Sequence, residues 1–203
     1  MKITQIKQGR KYLCSIYIDG EFALKLDSRT VAETGLAPGD EIDDDTLREY
    51  IDLSDFRRAK EKALWLISQR DHSKKELIDK ISTTVSRDAA VKAADRMEEL
   101  RLIDDAGFAK RYAKSLLEIK HMSKRGARYK LIQKGIDKDL ADEVLCELDD
   151  NPREHIRAVI EKKYSGRLSD EKIKRRCAAA LNRLGYNYSD INSVMREYIE
   201  DEY

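Results

Sequence analysis

Proline, tryptophan and long apolar runs are scarce in this chain of 203 residues. It contains two prolines, one tryptophan and only 7% aromatic residues, a composition that argues against a loop-rich or sandwich fold. No run of about eighteen apolar residues occurs, and the charged N-terminus lacks the apolar stretch of a signal peptide. We therefore expect a cytoplasmic protein without a membrane segment.

Cysteine and glycine patterns argue against several kinds of chemistry. The cysteines, Cys14, Cys146 and Cys177, are far apart and form no Cys-x-x-Cys pair, so we expect reduced thiols rather than disulfides or a zinc site. The nine glycines form neither Gly-x-Gly-x-x-Gly nor Gly-x-x-x-x-Gly-Lys, the loops that hold nucleotide phosphates. We expect no cofactor and no nucleotide hydrolysis by this chain.

Histidines and clustered acids give little support for catalysis. The three histidines are isolated, and we assign His72, which precedes a helix cap, a surface or capping role. Acids cluster at residues 43–45, 104–105 and 149–150, near predicted helix starts or turns where carboxylates complement the helix dipole. A magnesium nuclease based on residues 104–105 is the weakest alternative. We expect no catalytic residues, no metal site and no enzyme.

The near-neutral total charge hides an uneven distribution. Residues 1–55 contain seven Lys/Arg and twelve Asp/Glu, a net charge of −5, whereas residues 56–203 contain 33 and 27, a net charge of +6. The excess is concentrated in residues 105–135, which have nine basic residues and two acidic ones. Such an excess can hold a polyanion or an acidic protein surface.

The first 52 residues form a segment of their own. Apolar and polar residues alternate over residues 12–18 and 22–26, and Asp19-Gly20 between them supplies a two-residue hairpin turn. Residues 2–7 can add a third strand, and a short helix is expected over residues 28–35. We predict a small N-terminal α+β segment, residues 1–52, built on a β-hairpin.

The rest of the chain repeats itself at intervals of about fifty residues. Three pairs of basic residues recur at this spacing, followed by an apolar residue and then by a position that is glycine in two cases. The recurring positions are Lys74-Lys75, Lys124-Arg125 and Lys174-Arg175; Ile81, Leu131 and Leu181; and Val85, Gly135 and Gly185. Such a period is typical of stacked units that bury their apolar faces against one another.

Apolar residues at helical spacing indicate three helices in each unit. In the second unit Tyr129 and Leu131 lie on the apolar stripe of the middle helix, which ends at Gly135. Ser73 and Glu76 form a capping box at the start of the equivalent helix in the first unit. We predict a mainly α chain of tandem three-helix repeats in an elongated, curved array after the N-terminal segment. The predicted repeats are residues 53–104, 105–150 and 151–203.

The recurring basic pairs predict a binding surface. A single charged pair is usually only solvated helix surface, but stacking would bring pairs at the start of each middle helix into a row. Solvation alone is the alternative explanation. The candidate surface, here named the cationic stripe, consists of Lys74, Lys75, Lys124, Arg125, Arg128, Lys174 and Arg175.

Several of these segments resemble one known family. Residues 68–77, Ser-Gln-Arg-Asp-His-Ser-Lys-Lys-Glu-Leu, followed by Lys80, are similar to the signature of the RecX regulators of bacterial recombination. Leu102-Ile103-Asp104-Asp105 followed by Phe108-Ala109 resembles the motif that joins their first two repeats. Lys134-Gly135-Ile136 and Arg183-Leu184-Gly185-Tyr186 resemble the glycine-containing helix ends of the later repeats. The chain departs from the pattern at Thr83-Thr84-Val85, where many members have Lys-Gly.

The resemblance covers residues 56–203 and implies a non-enzymatic regulator of the recombinase RecA. Members of the family bind the RecA filament on single-stranded DNA within its groove and depress strand exchange, ATP hydrolysis and coprotease activity. The implied partners are the RecA filament and single-stranded DNA, with double-stranded DNA as a further candidate, and we expect a monomer that acts in DNA repair and recombination. A general DNA-binding helical repeat protein without a RecA target is the alternative.

Overall fold

The computed structural model describes residues 1–200, and their contacts divide the chain into two compact units. The first unit is Met1–Ile103 and the second begins at Asp104. None of the helices within residues 1–200 has the length and apolar character needed to cross a bilayer. The strands are β1 (Ile3–Gln8), β2 (Leu13–Ile18) and β3 (Glu21–Asp27), and the helices are α1 (Ser28–Thr34), α2 (Asp44–Gln69), α3 (Lys74–Ile81), α4 (Arg87–Glu99), α5 (Asp105–Lys114), α6 (Lys124–Gln133), α7 (Lys138–Cys146), α8 (Pro152–Tyr164), α9 (Glu171–Arg183) and α10 (Tyr188–Glu200). A π-helical turn, Ser115–Ile119, extends α5.

The N-terminal segment is a three-stranded antiparallel sheet with the order β1-β2-β3. Asp19-Gly20 connects β2 to β3, and both residues have positive φ, 49° and 92°, as a tight hairpin turn requires. Ile3, Ile16 and Leu26 are buried in the core of this segment. The short helix α1 follows and ends at Gly35 with φ 69°. The predicted hairpin, third strand and short helix are confirmed.

Helix α2 packs against the core of the sheet and also forms part of the core of the first repeat. Tyr50 and Ile51 pack against the core of the sheet, whereas Ala59 and Ala63 are buried in the core of the first repeat. Between them, the Ser54 hydroxyl accepts a 2.7 Å hydrogen bond from the backbone N–H at the end of β3. Because α2 is continuous, the predicted boundary between residues 52 and 53 lies inside a helix.

Three clusters of buried apolar side chains follow one another along the rest of the chain. Most of the first cluster comes from α2, α3 and α4, most of the second from α5, α6 and α7, and most of the third from α8, α9 and α10. Ile81, Leu131 and Leu181 occupy equivalent places in the middle helices and are all 0% exposed. The prediction of a mainly α chain of three-helix repeats is confirmed.

One part of the predicted register is wrong. In burial, Val85 corresponds to Ile136 and Tyr186. Each of these two residues lies one position after the glycine, Gly135 or Gly185, with which the fifty-residue spacing aligned Val85. Gly135 and Gly185 adopt φ of 85° and 98° and add a left-handed residue after the middle helix, as is common at helix ends. The first repeat lacks this extra residue, so its third helix begins one position earlier in the repeat.

The first repeat ends its middle helix without a glycine. The hydroxyl of Thr83 donates to the carbonyl of Lys80 at 2.8 Å, and that of Thr84 donates to the carbonyl of Ile81 at 3.0 Å. The Lys62 ammonium, on α2, donates to both hydroxyls at 2.8 and 3.1 Å. Side-chain hydrogen bonds therefore cap the last carbonyls of α3 where the other two repeats use glycine.

Candidate functional site

The basic pairs of the cationic stripe have the same burial pattern in all three repeats. Lys75, Arg125 and Arg175 are exposed, and the residue before each is half-buried. The residue two positions after each is buried in the core of its repeat. The second residue of every pair therefore lies on the solvent side of its middle helix.

Two of the three pairs begin the middle helix of their repeat. The hydroxyls of Ser73 and Ser123 accept hydrogen bonds from backbone N–H groups three residues later, at 3.2 and 3.1 Å, and cap α3 and α6. The third repeat has Ile173 at this position, and Asp170 caps α9 instead. The third pair consequently lies one turn inside its helix, so the expected placement of every pair at a helix start is wrong for this repeat.

Lys74 is bound to the third helix of its own repeat. Its Nζ lies 2.7 Å from Asp95 Oδ1 and 2.6 Å from Glu98 Oε2 on α4. The hydrogen bonds to these carboxylates raise the pKa of the ammonium group. A phosphate would have to compete with two carboxylates for this charge. Lys74 therefore holds α3 against α4.

Arg128 makes a bidentate ion pair within the second repeat. Its Nε lies 2.5 Å from Asp142 Oδ1, and its Nη2 lies 2.8 Å from Oδ2 of the same carboxylate. Hydrogen bonding from the guanidinium lowers the pKa of Asp142 and raises that of Arg128. Two parallel bonds to one carboxylate are a strong form of ion pairing, so Arg128 joins α6 to α7.

Arg125 connects the second repeat to the third. Its Nε donates to the carbonyl of Gly185 at 3.0 Å, and its Nη2 donates to the carbonyl of Tyr186 at 3.3 Å. Within the described residues, no carboxylate lies at ion-pair distance from this guanidinium. The side chain is therefore held in place by neutral acceptors, and its positive charge is not neutralised by a close acid.

A close approach of two backbones forms the same junction. The backbone N–H of Ser123 donates to the carbonyl of Leu184 at 3.0 Å. A Cβ placed on Gly185 would lie 2.7 Å from the Cα of Gly126, far inside the normal contact distance. Glycine at both positions lets the start of α6 contact the chain that follows α9. Gly126, inside a predicted helix, is the sequence signal that could have revealed this junction.

Two histidines meet beside this junction. Nδ1 of His121 lies 3.3 Å from Nδ1 of His155, and the hydroxyl of Tyr186 donates to the His121 carbonyl at 2.9 Å. Burial lowers the pKa of His121, and the neighbouring His155 and Lys162 lower it further. Burial and these neighbouring groups thus favour the neutral form of His121 in the folded protein.

His72 is an interior residue, so the expected surface role is wrong. It is 4% exposed, with Nδ1 2.8 Å from the carbonyl of Arg70 and Nε2 3.1 Å from Nζ of Lys80. Burial lowers its pKa. A neutral ring can donate from Nδ1 and accept from the ammonium at Nε2, which links the end of α2 to α3.

Two of the three acid clusters cap helices. Asp43 accepts a hydrogen bond from the backbone N–H of Thr46 at 2.7 Å. Hydrogen bonding from the side chain and then from the backbone of Thr46 lowers the pKa of the Asp43 carboxyl group. Asp104 caps α5 by accepting from the backbone N–H of Ala106 at 3.0 Å. Within residues 1–200, no three His, Cys, Asp or Glu side chains are arranged to hold a metal ion. Asp43 and Asp104 are therefore helix caps, whereas residues 149–150 precede Asn151, which caps α8.

Four members of the cationic stripe lie toward solvent. Lys174 and Arg175 approach Glu171 at 3.8 and 3.4 Å, with side chains 42% and 80% exposed. Exposed pairs of this kind contribute little to stability, so a phosphate can displace the carboxylate. Lys75 is exposed and Lys124 is half-buried. Together with Arg125, which is exposed and held by neutral acceptors, these four residues are the part of the stripe that a partner can reach.

The second repeat presents further cations and an aromatic ring that the stripe did not include. The ammonium groups of Lys120 and Lys134 lie 5.7 and 5.8 Å from the ring centroid of Tyr112.

Tyr129, assigned above to the apolar stripe of α6, is 62% exposed. In the first and third repeats the positions equivalent to Tyr129 are Asp79 and Ala179, and both residues are exposed. The repeat register could therefore have shown that Tyr129 lies outside the core.

Comparison with known proteins matches two family models within the second unit. Residues 104–145 match the second three-helix domain of RecX, and residues 149–195 match its third three-helix domain. The two domains occur in the order in which the family arranges them. The regions they match contain α5 to α7 and most of α8 to α10.

Full-length relatives and solved structures agree with these matches. The chain is 26% identical to the regulatory protein RecX of Clostridioides difficile (strain 630), over 99% of this chain and 98% of that protein. It is 27% identical to that of Clostridium perfringens (strain SM101 / Type A), over 100% and 98%. A crystal structure of regulatory protein RecX has a similar fold, with a TM-score of 0.59 and 19% identity over 96% of this chain and 98% of that one. RecX from Lactobacillus salivarius gives a TM-score of 0.55 and 22% identity over 72% and 97%. The chain is therefore similar to RecX proteins over nearly its whole length, and it contains two of the three-helix domains of that family in their usual order.

Proposed function

We propose that this protein binds the RecA filament on single-stranded DNA and inhibits the recombinase, ATPase and coprotease activities of RecA in DNA repair and recombination. The proposal rests on the similarity of this chain to RecX, since its full-length relatives are named regulatory proteins. The regulator acts by binding and not by catalysis. RecA and DNA as partners place it in the bacterial cytoplasm, where it acts as a monomer.

The observation that carries the proposal is the recurrence of an exposed cation at one position of each repeat. Lys75, Arg125 and Arg175 lie on the solvent side of three middle helices that are otherwise different in sequence. Solvation alone does not require a cation at the same place three times. A polyanion or an acidic protein surface that contacts several repeats would use such a pattern.

The contacts within each repeat suggest two roles for the cationic stripe. We assign the direct contacts to the solvent-facing members, Lys75, Lys124, Arg125, Lys174 and Arg175. Lys74 and Arg128 act as positioning residues, because their ion pairs join α3 to α4 and α6 to α7. Arg125 also joins repeat 2 to repeat 3, but its partners are neutral carbonyls, so its charge stays available to an anion. Single-stranded DNA and an acidic surface of RecA both fit the contact residues, and double-stranded DNA is a weaker ligand of the same phosphate-binding side chains.

Charge reversal at the third pair tests the stripe. Lys174→Glu with Arg175→Glu should flatten the logarithmic salt dependence of single-stranded DNA binding by about 0.7 for each phosphate that the variant no longer binds, and should weaken RecA inhibition. The matched control reverses Lys2 and Lys25, exposed residues of the N-terminal sheet, and should change neither property. Equal decreases in both double variants would show that total charge governs binding, and not an ordered surface.

A second measurement distinguishes this regulator from a general DNA-binding protein without a RecA target: binding to RecA filaments is compared with binding to DNA alone. Such a protein would lose DNA affinity on charge reversal, and the wild type would bind RecA filaments no better than DNA of the same length. Binding to RecA itself adds affinity that persists at salt concentrations where phosphate interactions are screened.

A further inference from the structure

An aromatic ring projects from α6, a helix with four basic residues and no acidic one. Tyr129 is on α6, and its side chain is 62% exposed although the surrounding apolar residues are buried. Within the described residues it has no hydrogen bond, ring stacking or cation–π contact. The equivalent positions of the other repeats are Asp79 and Ala179, so only the second repeat presents an aromatic ring at this place.

The charges around Tyr129 remain available to an anion. Helix α6 contains four basic residues and no acidic one. Arg125, one turn before Tyr129, donates to two backbone carbonyls, and Lys130, the next residue, donates to the neutral side-chain oxygen of Gln133 at 3.2 Å. Arg128, by contrast, is neutralised by the carboxylate of Asp142. The ring is therefore flanked by two cations whose partners carry no negative charge.

A ring between uncompensated cations is suited to one class of ligand. Proteins that bind single-stranded nucleic acid stack bases on aromatic side chains and hold the backbone with positive charge. Four residues of helix rise about 6 Å, so Arg125 and Tyr129 are spaced for a phosphate and a neighbouring base. In a duplex the bases are already stacked on one another, and they cannot reach a single exposed ring without being flipped out.

Building on the function proposed above, we propose that Tyr129 is a stacking residue for an unpaired base of single-stranded DNA, with Arg125 and Lys130 contacting the adjacent phosphates. The site lies within the second repeat and adds Tyr129 and Lys130 to Arg125, a member of the recurring basic pairs. It gives the protein a preference for single strands that binding to phosphates alone does not supply.

The test compares Tyr129→Ala and Tyr129→Phe in the full chain, with a fluorescent oligothymidylate and a duplex of equal length as probes. Tyr129→Ala should weaken single-strand binding by about 5- to 150-fold, the range for loss of one stacked base, and leave duplex binding unchanged. The slope of affinity against salt should also stay constant, because every phosphate-binding cation is retained. Tyr129→Phe keeps the ring and should retain most of the affinity. Tyr188→Ala is the matched control, since Tyr188 is 63% exposed on a different helix.

Distinct results would overturn the assignment. Unchanged single-strand affinity of folded Tyr129→Ala would do so, as would equal decreases for single strand and duplex, or an effect confined to binding of the RecA filament. Should the alanine variant fail to fold, loss of binding in a folded Tyr129→Phe would also contradict a stacking role. A wild-type protein without affinity for single-stranded DNA would overturn the DNA part of the proposed function as well, so the two failures are distinguishable.

Discussion

Replacing Gly126 by alanine tests the junction between the second and third repeats. In a solvated helix this substitution should stabilise the protein, because alanine exceeds glycine in helix propensity by about 1 kcal/mol. At this junction the new Cβ would press on the carbonyl oxygen of Leu184 and lie 3.0 Å from its carbonyl carbon and 3.1 Å from Met122 Cε. The same carbonyl of Leu184 accepts a hydrogen bond from the backbone of Ser123, so it cannot move without weakening that bond.

The expected net effect follows from these two contributions. Overpacking costs typically about 1–3 kcal/mol, and a clash with a hydrogen-bonded carbonyl belongs to the upper part of that range. After subtracting the gain in helix propensity, we expect Gly126→Ala to lower the free energy of unfolding by roughly 1–2 kcal/mol. For a chain of this size that corresponds to a decrease in Tm of about 2–8 °C.

Urea and thermal unfolding of the full chain measure this effect. Gly107→Ala on α5 is the comparison variant, because its Cβ would meet side chains and not a backbone carbonyl: the Asp104 carboxylate that caps α5 and the end of Arg111. The gain in helix propensity of about 1 kcal/mol is offset by a disturbed cap worth about 0.5–2 kcal/mol, so the net change should stay within about 1 kcal/mol of the wild type. A Gly126→Ala variant more stable than the wild type would refute the close approach of the two repeats.

Two further predictions concern the interior. Leu131 is 0% exposed, so Leu131→Ala should lower the free energy of unfolding by about 2–5 kcal/mol in urea titrations, and a decrease under about 1 kcal/mol would place it outside a well-packed core. Burial lowers the pKa of His72 and His121 below the ordinary value of 6.5, so as the pH falls below that value the unfolded chain takes up protons first and stability decreases. Tm should therefore be level above about pH 7 and fall below about pH 6.5, less steeply in His121→Asn, and a Tm that rises on acidification would contradict buried neutral imidazoles.

Much of the fold could be predicted from local patterns. The alternation on both sides of Asp19-Gly20 and the fifty-residue recurrence are properties of short segments, and the structure contains the corresponding hairpin and repeats. The misalignment of Val85 arose because the fixed spacing could not show that the left-handed glycine of two repeats is an added residue in the loop. Tyr129 was misplaced because an exposed aromatic beside a buried leucine looks like part of an apolar stripe.

The chemistry of the basic residues could be predicted less well. Recurrence located the solvent-facing cations. The partners of the other basic residues are distant in sequence: 21 residues away for Lys74, 61 for Arg125 and 14 for Arg128. Which cation faces a carboxylate, a carbonyl or solvent depends on how helices pack. The same limit applies to His72, whose burial depends on Lys80 and the end of α2.

Titration of this protein into RecA that is hydrolysing ATP on single-stranded DNA tests the proposed regulation most directly. RecA's rate of hydrolysis should fall as the protein is added, well before equimolar amounts are reached, and the protein alone should hydrolyse no ATP with or without magnesium. The Lys174→Glu, Arg175→Glu double variant should need a higher concentration for the same effect. A RecA rate that stays unchanged at saturating protein would contradict the account.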